Sequence, residues 1–261
     1  MTDRSNRQAA NSFFWVYSRG HTALRALARR MAVRQAVALP SVAVAAVTVV
    51  AWAAVGEVGA RSAPPLPQVV DVPTRPAYVQ PPGRAETDAR VGQLLPVNTL
   101  LRTQKPGRLQ VRLADGRSFR LGGDALLRLS AGALDLRRGQ IIAWVNPGSG
   151  GGPPLRVQTR VGTASIEGTT VFIDASETDV KVFSWEGTVA VTTDSGRRFM
   201  LRSGEQVSQR ANAVDGDGWE GPTRLSRAEL DQRRARSILL NGFKAPMETL
   251  PVIEKELGFT R

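Results

Sequence analysis

The 261-residue sequence predicts a mainly β protein, a compact double-layered β-sandwich or β-roll, preceded by one N-terminal transmembrane helix and followed by short C-terminal helices. Three observations carry this expectation. Residues 36–56 contain no charged side chain, residues 91–211 alternate apolar and polar positions between turn residues, and from about Asp215 the apolar spacing becomes helical. The chain accordingly divides into a basic N-terminal segment (1–35), an apolar span (36–56), a proline-rich linker (57–90), a β domain (91–211) and a helical C-terminal segment (212–261).

The formal charge of +12 is concentrated at one end, because residues 1–34 hold seven Arg and one Asp. Leu24, Leu27, Ala28 and Met31 recur at helical spacing, with Arg25, Arg29 and Arg30 on the other face. This basic amphipathic helix either meets anionic headgroups or only fixes topology. The uncharged run that follows, 21 residues from Ala36 to Gly56, matches the length needed to cross a hydrocarbon core of about 30 Å. Five arginines, Arg19, Arg25, Arg29, Arg30 and Arg34, precede it closely and only Arg61 and Arg75 follow, which places the N-terminus in the cytoplasm. A cleaved signal peptide is the alternative, since Ala51-Trp52-Ala53 offers small residues at the cleavage positions. Either way the remainder is expected outside the cytoplasm, periplasmic or extracytoplasmic, with a retained anchor fixing it to the inner (plasma) membrane.

Seven prolines between residues 61 and 85 favour an extended polyproline spacer. At about 3.1 Å per residue it would hold the next domain up to roughly 75 Å from the membrane. In the β domain, Leu109, Val111 and Leu113 alternate with polar residues before Asp115-Gly116, and Phe119 and Leu121 resume the pattern. Asp-Gly between such runs predicts a two-residue hairpin. Further strands are expected at 99–103, 125–130, 133–136, 140–145, 155–159, 163–167, 169–174, 179–184, 187–193 and 198–202. Beyond the domain, Ser226 and Glu229 form an S-x-x-E capping box, Leu230, Ile238 and Leu239 give a partial apolar face, and Gly242 is placed to stop the helix. A shorter helix is expected from Leu250 to Leu257, ended by Gly258.

The chemistry available is narrow. Cysteine is absent, and the only histidine, His21, lies on the predicted cytoplasmic side, so thiol and imidazole catalysis have no residues in the exported part. Asp215-Gly-Asp217-Gly-Trp219-Glu220 begins like a calcium loop but places Trp219 and Ser226 where oxygen ligands belong, so no metal is expected. The glycine-rich run 146–154 lacks the G-K-[S/T] ending of a phosphate loop. Arg137-Arg138, Arg197-Arg198 and Arg233-Arg234 with Arg236 are candidate polyanion contacts. The sequence therefore predicts a binding module without catalytic residues or cofactor, whose partner is an envelope protein or, alternatively, a cell-wall polysaccharide or another polyanion. Nucleic acid is not expected, since the folded body is only mildly basic.

A set of short motifs adds a resemblance. Gly92-Gln-Leu94-Leu95, Leu100-Leu101-Arg-Thr103, Leu113-Ala-Asp115-Gly116, Val157-Gln-Thr159, Gly168-Thr169, Glu186-Gly187 and Gly204-Glu205 follow one another as in the FecR-domain family, which this stretch resembles. The resemblance implies an extracytoplasmic β domain in which Asp115, Gly116, Val157, Thr159, Gly168, Thr169, Glu186, Gly187 and Gly204 are structural. The best-known members look like transmembrane signal transducers that regulate a sigma factor from the cytoplasm. About 34 residues before the span is short for such a regulatory domain, so the resemblance here implies an anchored interaction or sensing module.

Overall fold

The computed structural model describes residues 65–146, 152–211 and 217–259, so the expected basic segment and apolar span lie outside the described residues. No helix among the described residues is long and apolar enough to cross a membrane. The alternating segments become one continuous, almost wholly antiparallel sheet. Its strands are β1 (Gln68–Thr74), β2 (Ala77–Gln80), β3 (Thr87–Asp88), β4 (Leu100–Thr103), β5 (Arg108–Arg112), β6 (Ser118–Ser130), β7 (Ala133–Trp144) and β8 (Leu155–Thr159). Then follow β9 (Gly162–Ile166), β10 (Thr170–Ala175), β11 (Asp179–Glu186), β12 (Val189–Thr193), β13 (Arg198–Leu201), β14 (Glu205–Arg210) and β15 (Trp219–Arg224).

The long strand β7 is the junction. Its first residues pair in parallel with β8, which continues through β9 and β12 to β13. Its last residues pair with β10, which continues through β11 and β14 to β15. Side chains from both branches, such as Val157, Val189, Ile173 and Val182, belong to the same buried core, so the sheet folds back on itself to enclose it.

Three expectations are corrected. The proline-rich segment expected as a spacer over 57–90 is part of the sheet from residue 68 on, because β1 and β2 belong to it and bury Val69, Ala77 and Val79 completely. Pro73 is tolerated because β1, bridged at its start to Leu94, is paired around Pro73 on the β5 side alone, where a missing N–H on the open side costs no ladder bond. The Asp115-Gly116 turn is longer than a two-residue hairpin. Gly116 N–H donates to Leu113 O at 3.0 Å, Leu113 N–H donates to Arg117 O at 2.7 Å, and of the two residues only Gly116 has positive φ, at 87°. That is a type I turn closed by a left-handed glycine, a conformation a side chain would strain.

The third correction concerns the C-terminal segment, which begins as strand β15 rather than as helix. Trp219 leaves the acidic cluster to pack on the main core, its ring 5.7 Å from that of Phe199. Helix α1 (Arg227–Arg236) then starts at the expected capping box, with Glu229 Oε2 accepting from Ser226 N at 2.8 Å. It stops early, at Ser237, whose hydroxyl accepts from Leu240 N and starts α2 (Ile238–Asn241) in a new direction. Gly242 ends α2, and α3 (Leu250–Glu256) is the last helix among the described residues. Ile238, expected on the apolar face, is 51% exposed, while Leu230 and Leu239 are buried.

Candidate functional site

Strands usually bury one face, but here both faces of the central strands are covered. Along β7, Ile141 and Ala143 point into the main core while Ile142 and Trp144 point out; along β11, Val180 and Val182 point in while Phe183 and Trp185 point out. The outer residues form a second apolar cluster with Leu230, Leu239, Leu240, Met247, Ile253 and Leu257 of the C-terminal segment. Burying large aromatic side chains such as Trp144, Phe183 and Trp185 contributes about 2–3 kcal/mol each.

Arg120 is the polar centre of this contact. It stands on β6 between Phe119 and Leu121, points to the outer face and is only 2% exposed. Its Nε donates to Gln110 Oε1 at 2.8 Å, one terminal nitrogen donates to Leu239 O and Leu240 O, and the other donates to Ala245 O at 2.8 Å. The guanidinium lies over the rings of Phe243 at 4.4 Å and Trp144 at 5.4 Å. Burial lowers its pKa to about 10, opposed by the negative charges of Asp71 and Glu248, so it stays cationic at neutral pH. The acceptors it satisfies include the otherwise free carbonyls at the end of α2. Asp71 on β1 grips the same loop from the backbone side, accepting from Lys244 N at 2.7 Å and Ala245 N at 2.9 Å.

The motif residues fall into two groups. Asp115 and Gly116 form the β5–β6 turn, Val157 lies in the main core, and Thr159 donates to Gly162 O to close the β8–β9 turn. Gly168, Thr169, Glu186, Gly187 and Gly204 instead converge on one corner under α3. There Thr170 Oγ1 bonds to both Glu186 Oε1 and Thr249 Oγ1 at 2.8 Å, and Gly187 N donates to Glu256 Oε2 at 3.0 Å. Gly187 has φ +70°, and a Cβ there would lie 2.5 Å from Thr169 Cγ2, so the turn excludes other residues. Glu186 is 3% exposed, and burial holds its carboxyl up to about 7; the Thr170 hydrogen bond works against this rise and the neighbouring Glu256 adds to it.

Beside α1 the outer face opens into a cleft of about 280 Å³. Phe172, Trp185 and Leu239 supply apolar walls, and Lys181, Arg233 and Arg236 supply charge. Arg233 lies over the Phe183 ring at 4.4 Å and donates to Gln206 Oε1 at 2.7 Å. Burial pushes its pKa below the ordinary value, against the pull of Glu229 and Asp174. Of the arginine groups expected to bind a polyanion, one member of each is paired with a carboxylate, Arg137 with Asp135, Arg197 with Asp217 and Arg234 with Glu254, while Arg138 and Arg198 are exposed. Among the described residues no group of His, Cys, Asp or Glu is arranged to hold a metal ion.

Arg120 was not expected from the sequence, and of the cleft only Arg233 and Arg236 were, as candidate polyanion contacts. Arg120 occupies the polar position of a clean alternation and reads as solvent-facing. The available signal was the unbroken apolar run Ile141-Ile142-Ala143-Trp144-Val145, since a strand buried on both faces does not alternate.

No curated protein matches the chain. Two crystal structures of a "putative anti-sigma factor" from Parabacteroides distasonis ATCC 8503 are similar to it, one at 16% identity and TM-score 0.38, the other at 15% and 0.42. They cover 47% and 51% of this chain, which in turn spans 58% and 63% of their length, less than two thirds. Residues 99–190, the run from the entry of β4 into β12 that carries β7, Arg120 and the Glu186 corner, match the model of the family described as FecR protein.

Proposed function

We propose that the chain is a membrane-tethered, extracytoplasmic interaction module of the bacterial envelope that senses or transmits a signal by binding another protein, and that it is not an enzyme. The observation that carries this reading is the FecR match over residues 99–190, which falls on a β domain whose buried ionisable groups are spent on holding its own C-terminal segment. Placement outside the cytoplasm rests on the uncharged run 36–56 and the arginines before it. Cross-linking of the full-length, affinity-tagged protein in intact envelopes, followed by denaturing purification, tests the reading. One envelope protein should be recovered in stoichiometric amount, and recovery of only abundant, non-saturable contacts would overturn it.

A further inference from the structure

Exposed apolar side chains collect where the chain enters the sheet. The backbones of residues 66–69 and 92–95 lie side by side: Val69 N donates to Gln93 O at 3.0 Å, Gly92 N to Val69 O at 2.9 Å and Leu95 N to Pro67 O at 2.8 Å. Gln68 and Leu94 are bridge partners. Partners across such a bridge share a face and their chain neighbours take the other, so Val69 and Leu95 fill the main core while Leu94 turns to solvent. The solvent face of a sheet is ordinarily polar. Here Leu66, Val91, Leu94 and Val97 are 44%, 65%, 55% and 49% exposed, four of the six large apolar side chains exposed among the described residues. Val91 and Val97 stand at the turns that flank Leu94. Single exposed apolar side chains are normal, but a cluster of them marks a contact surface.

The chemistry of the cluster narrows what it meets. Residues 65–70 and 90–98 hold no acid, no aromatic ring and one charged side chain, Arg90, which is exposed and forms no ion pair among the described residues. The acids just before it, Glu86 and Asp88, are taken up by Arg102 and Arg75, and Arg112, beside Gln68 on β5, faces Glu248 at 3.9 Å. Specific protein contacts concentrate their energy in Trp, Tyr and Arg, with Leu and Val under-represented. Small aliphatic side chains with a cation at the rim instead suit the boundary between headgroups and acyl chains. Position points the same way. Leu66 lies ten residues after Gly56, the last of the uncharged run, so at about 3.1 Å per residue the cluster stays within roughly 30 Å of the end of that run. A bilayer crossed by that run is presented to the cluster at a far higher effective concentration than any separate protein.

We propose that Leu66, Val91, Leu94 and Val97, with Arg90 at their edge, form a lipid-contacting face that seats the β domain on the membrane from which it is tethered. The assignment rests on reading residues 36–56 as a membrane span. It gives the domain a fixed orientation, with β1 and the β3–β4 loop toward the headgroups.

The absence of cysteine allows single-cysteine variants of the full-length protein to carry a nitrobenzoxadiazole label, after reconstitution into vesicles of phosphatidylethanolamine and phosphatidylglycerol. At Val91→Cys and Val97→Cys, nitroxide-bearing lipid should quench the label at least threefold more than a water-soluble nitroxide does. The reverse is expected at Glu177→Cys, in the β10–β11 turn, because Gln68, Arg112, Ser118, Trp144 and Thr170 are paired in succession and the turn lies at the other end of those strands. Adding Leu66→Ser and Leu94→Ser to Val91→Cys should cut the lipid quenching at least threefold while the melting temperature stays unchanged, since both leucines are exposed. Quenching mainly from water at Val91 and Val97, equal lipid quenching at Glu177, or no effect of the two serines overturns the proposal. A blue-shifted label that lipid nitroxide does not quench also overturns it, by showing that a protein or a second copy covers the face. A label at Ala46→Cys reads the tether by itself. Lipid quenching there without quenching at Val91 removes the lipid-contacting face and leaves the tether, and the opposite result removes the tether and leaves the face.

Discussion

Glu186 shows how one buried carboxyl reports on the docking of the C-terminal segment. Its hydrogen-bond chain runs through Thr170 to Thr249 at the start of α3, so its protonation is tied to the position of that helix. In the unfolded chain the group titrates near 4.5, whereas in the folded protein burial raises it to about 7. The folded state therefore binds more protons between these values, and the stabilisation is fully present below pH 4.5 and lost as pH rises through 7. A shift of this size corresponds to about 3 kcal/mol at most. Thermal melting of the full-length protein from pH 5 to pH 8 should show a falling Tm, and Glu186→Gln, which keeps an acceptor for Thr170, should flatten the profile. The window is clean because the only histidine in the chain is His21, outside the β domain. A Glu186→Gln profile as steep as the wild type would show that other groups carry the dependence.

Whole strands decide where the folding unit begins. β1 and β2 contribute Val69, Ala77 and Val79 to the main core and Asp71 to the C-terminal loop, so a fragment starting at residue 86 loses both cores' support at once. Three buried apolar side chains at about 1–2 kcal/mol each, with the unpaired loop amides added, approach the whole stability of an ordinary domain. Residues 65–261 should melt cooperatively by circular dichroism, while residues 86–261 should show no cooperative transition; a cooperative melt of the shorter fragment would return β1 and β2 to the role of a spacer. Sequence patterning located the strands from β4 to β13 because their inward residues repeat with a period of two. It missed β1 and β2 because proline content outweighed the short alternation Val69-Asp71 and Ala77-Val79, and proline at an edge strand carries little penalty. It missed β15 for the same reason, as Pro222 lies in an exposed strand paired on one side. The motif corner was legible as glycines and a glutamate in order, but its convergence under α3 depends on a contact with residues some 60–80 positions away, which local spacing does not encode.

At the scale of the molecule, the correction to the linker changes how the domain is carried. With β1 beginning at Gln68, only residues 57–67 separate the uncharged run from the sheet. At about 3.1 Å per residue these reach no further than roughly 35 Å, about a third of the distance a spacer from residue 57 to residue 90 would allow. In the proposed function, a tether this short would keep the domain near the membrane surface, within reach of a partner that is itself membrane-bound. The tether itself can be tested through its hydrophobicity. Ala and Val dominate residues 36–56, so insertion has a small margin, and one arginine at the centre of a span costs about 2.5–3.5 kcal/mol. Replacing Ala46 and Val49 together by arginine should move the protein from the carbonate-resistant membrane fraction to the soluble one, leaving the domain in the cytoplasm. N-terminal sequencing of the wild-type protein then separates the two forms of export: a start upstream of Ala36 marks a retained anchor, and a start at Ala54 marks cleavage after Ala53. Wild-type protein found in the soluble cytoplasmic fraction with an intact N-terminus would remove the tether from the proposed function.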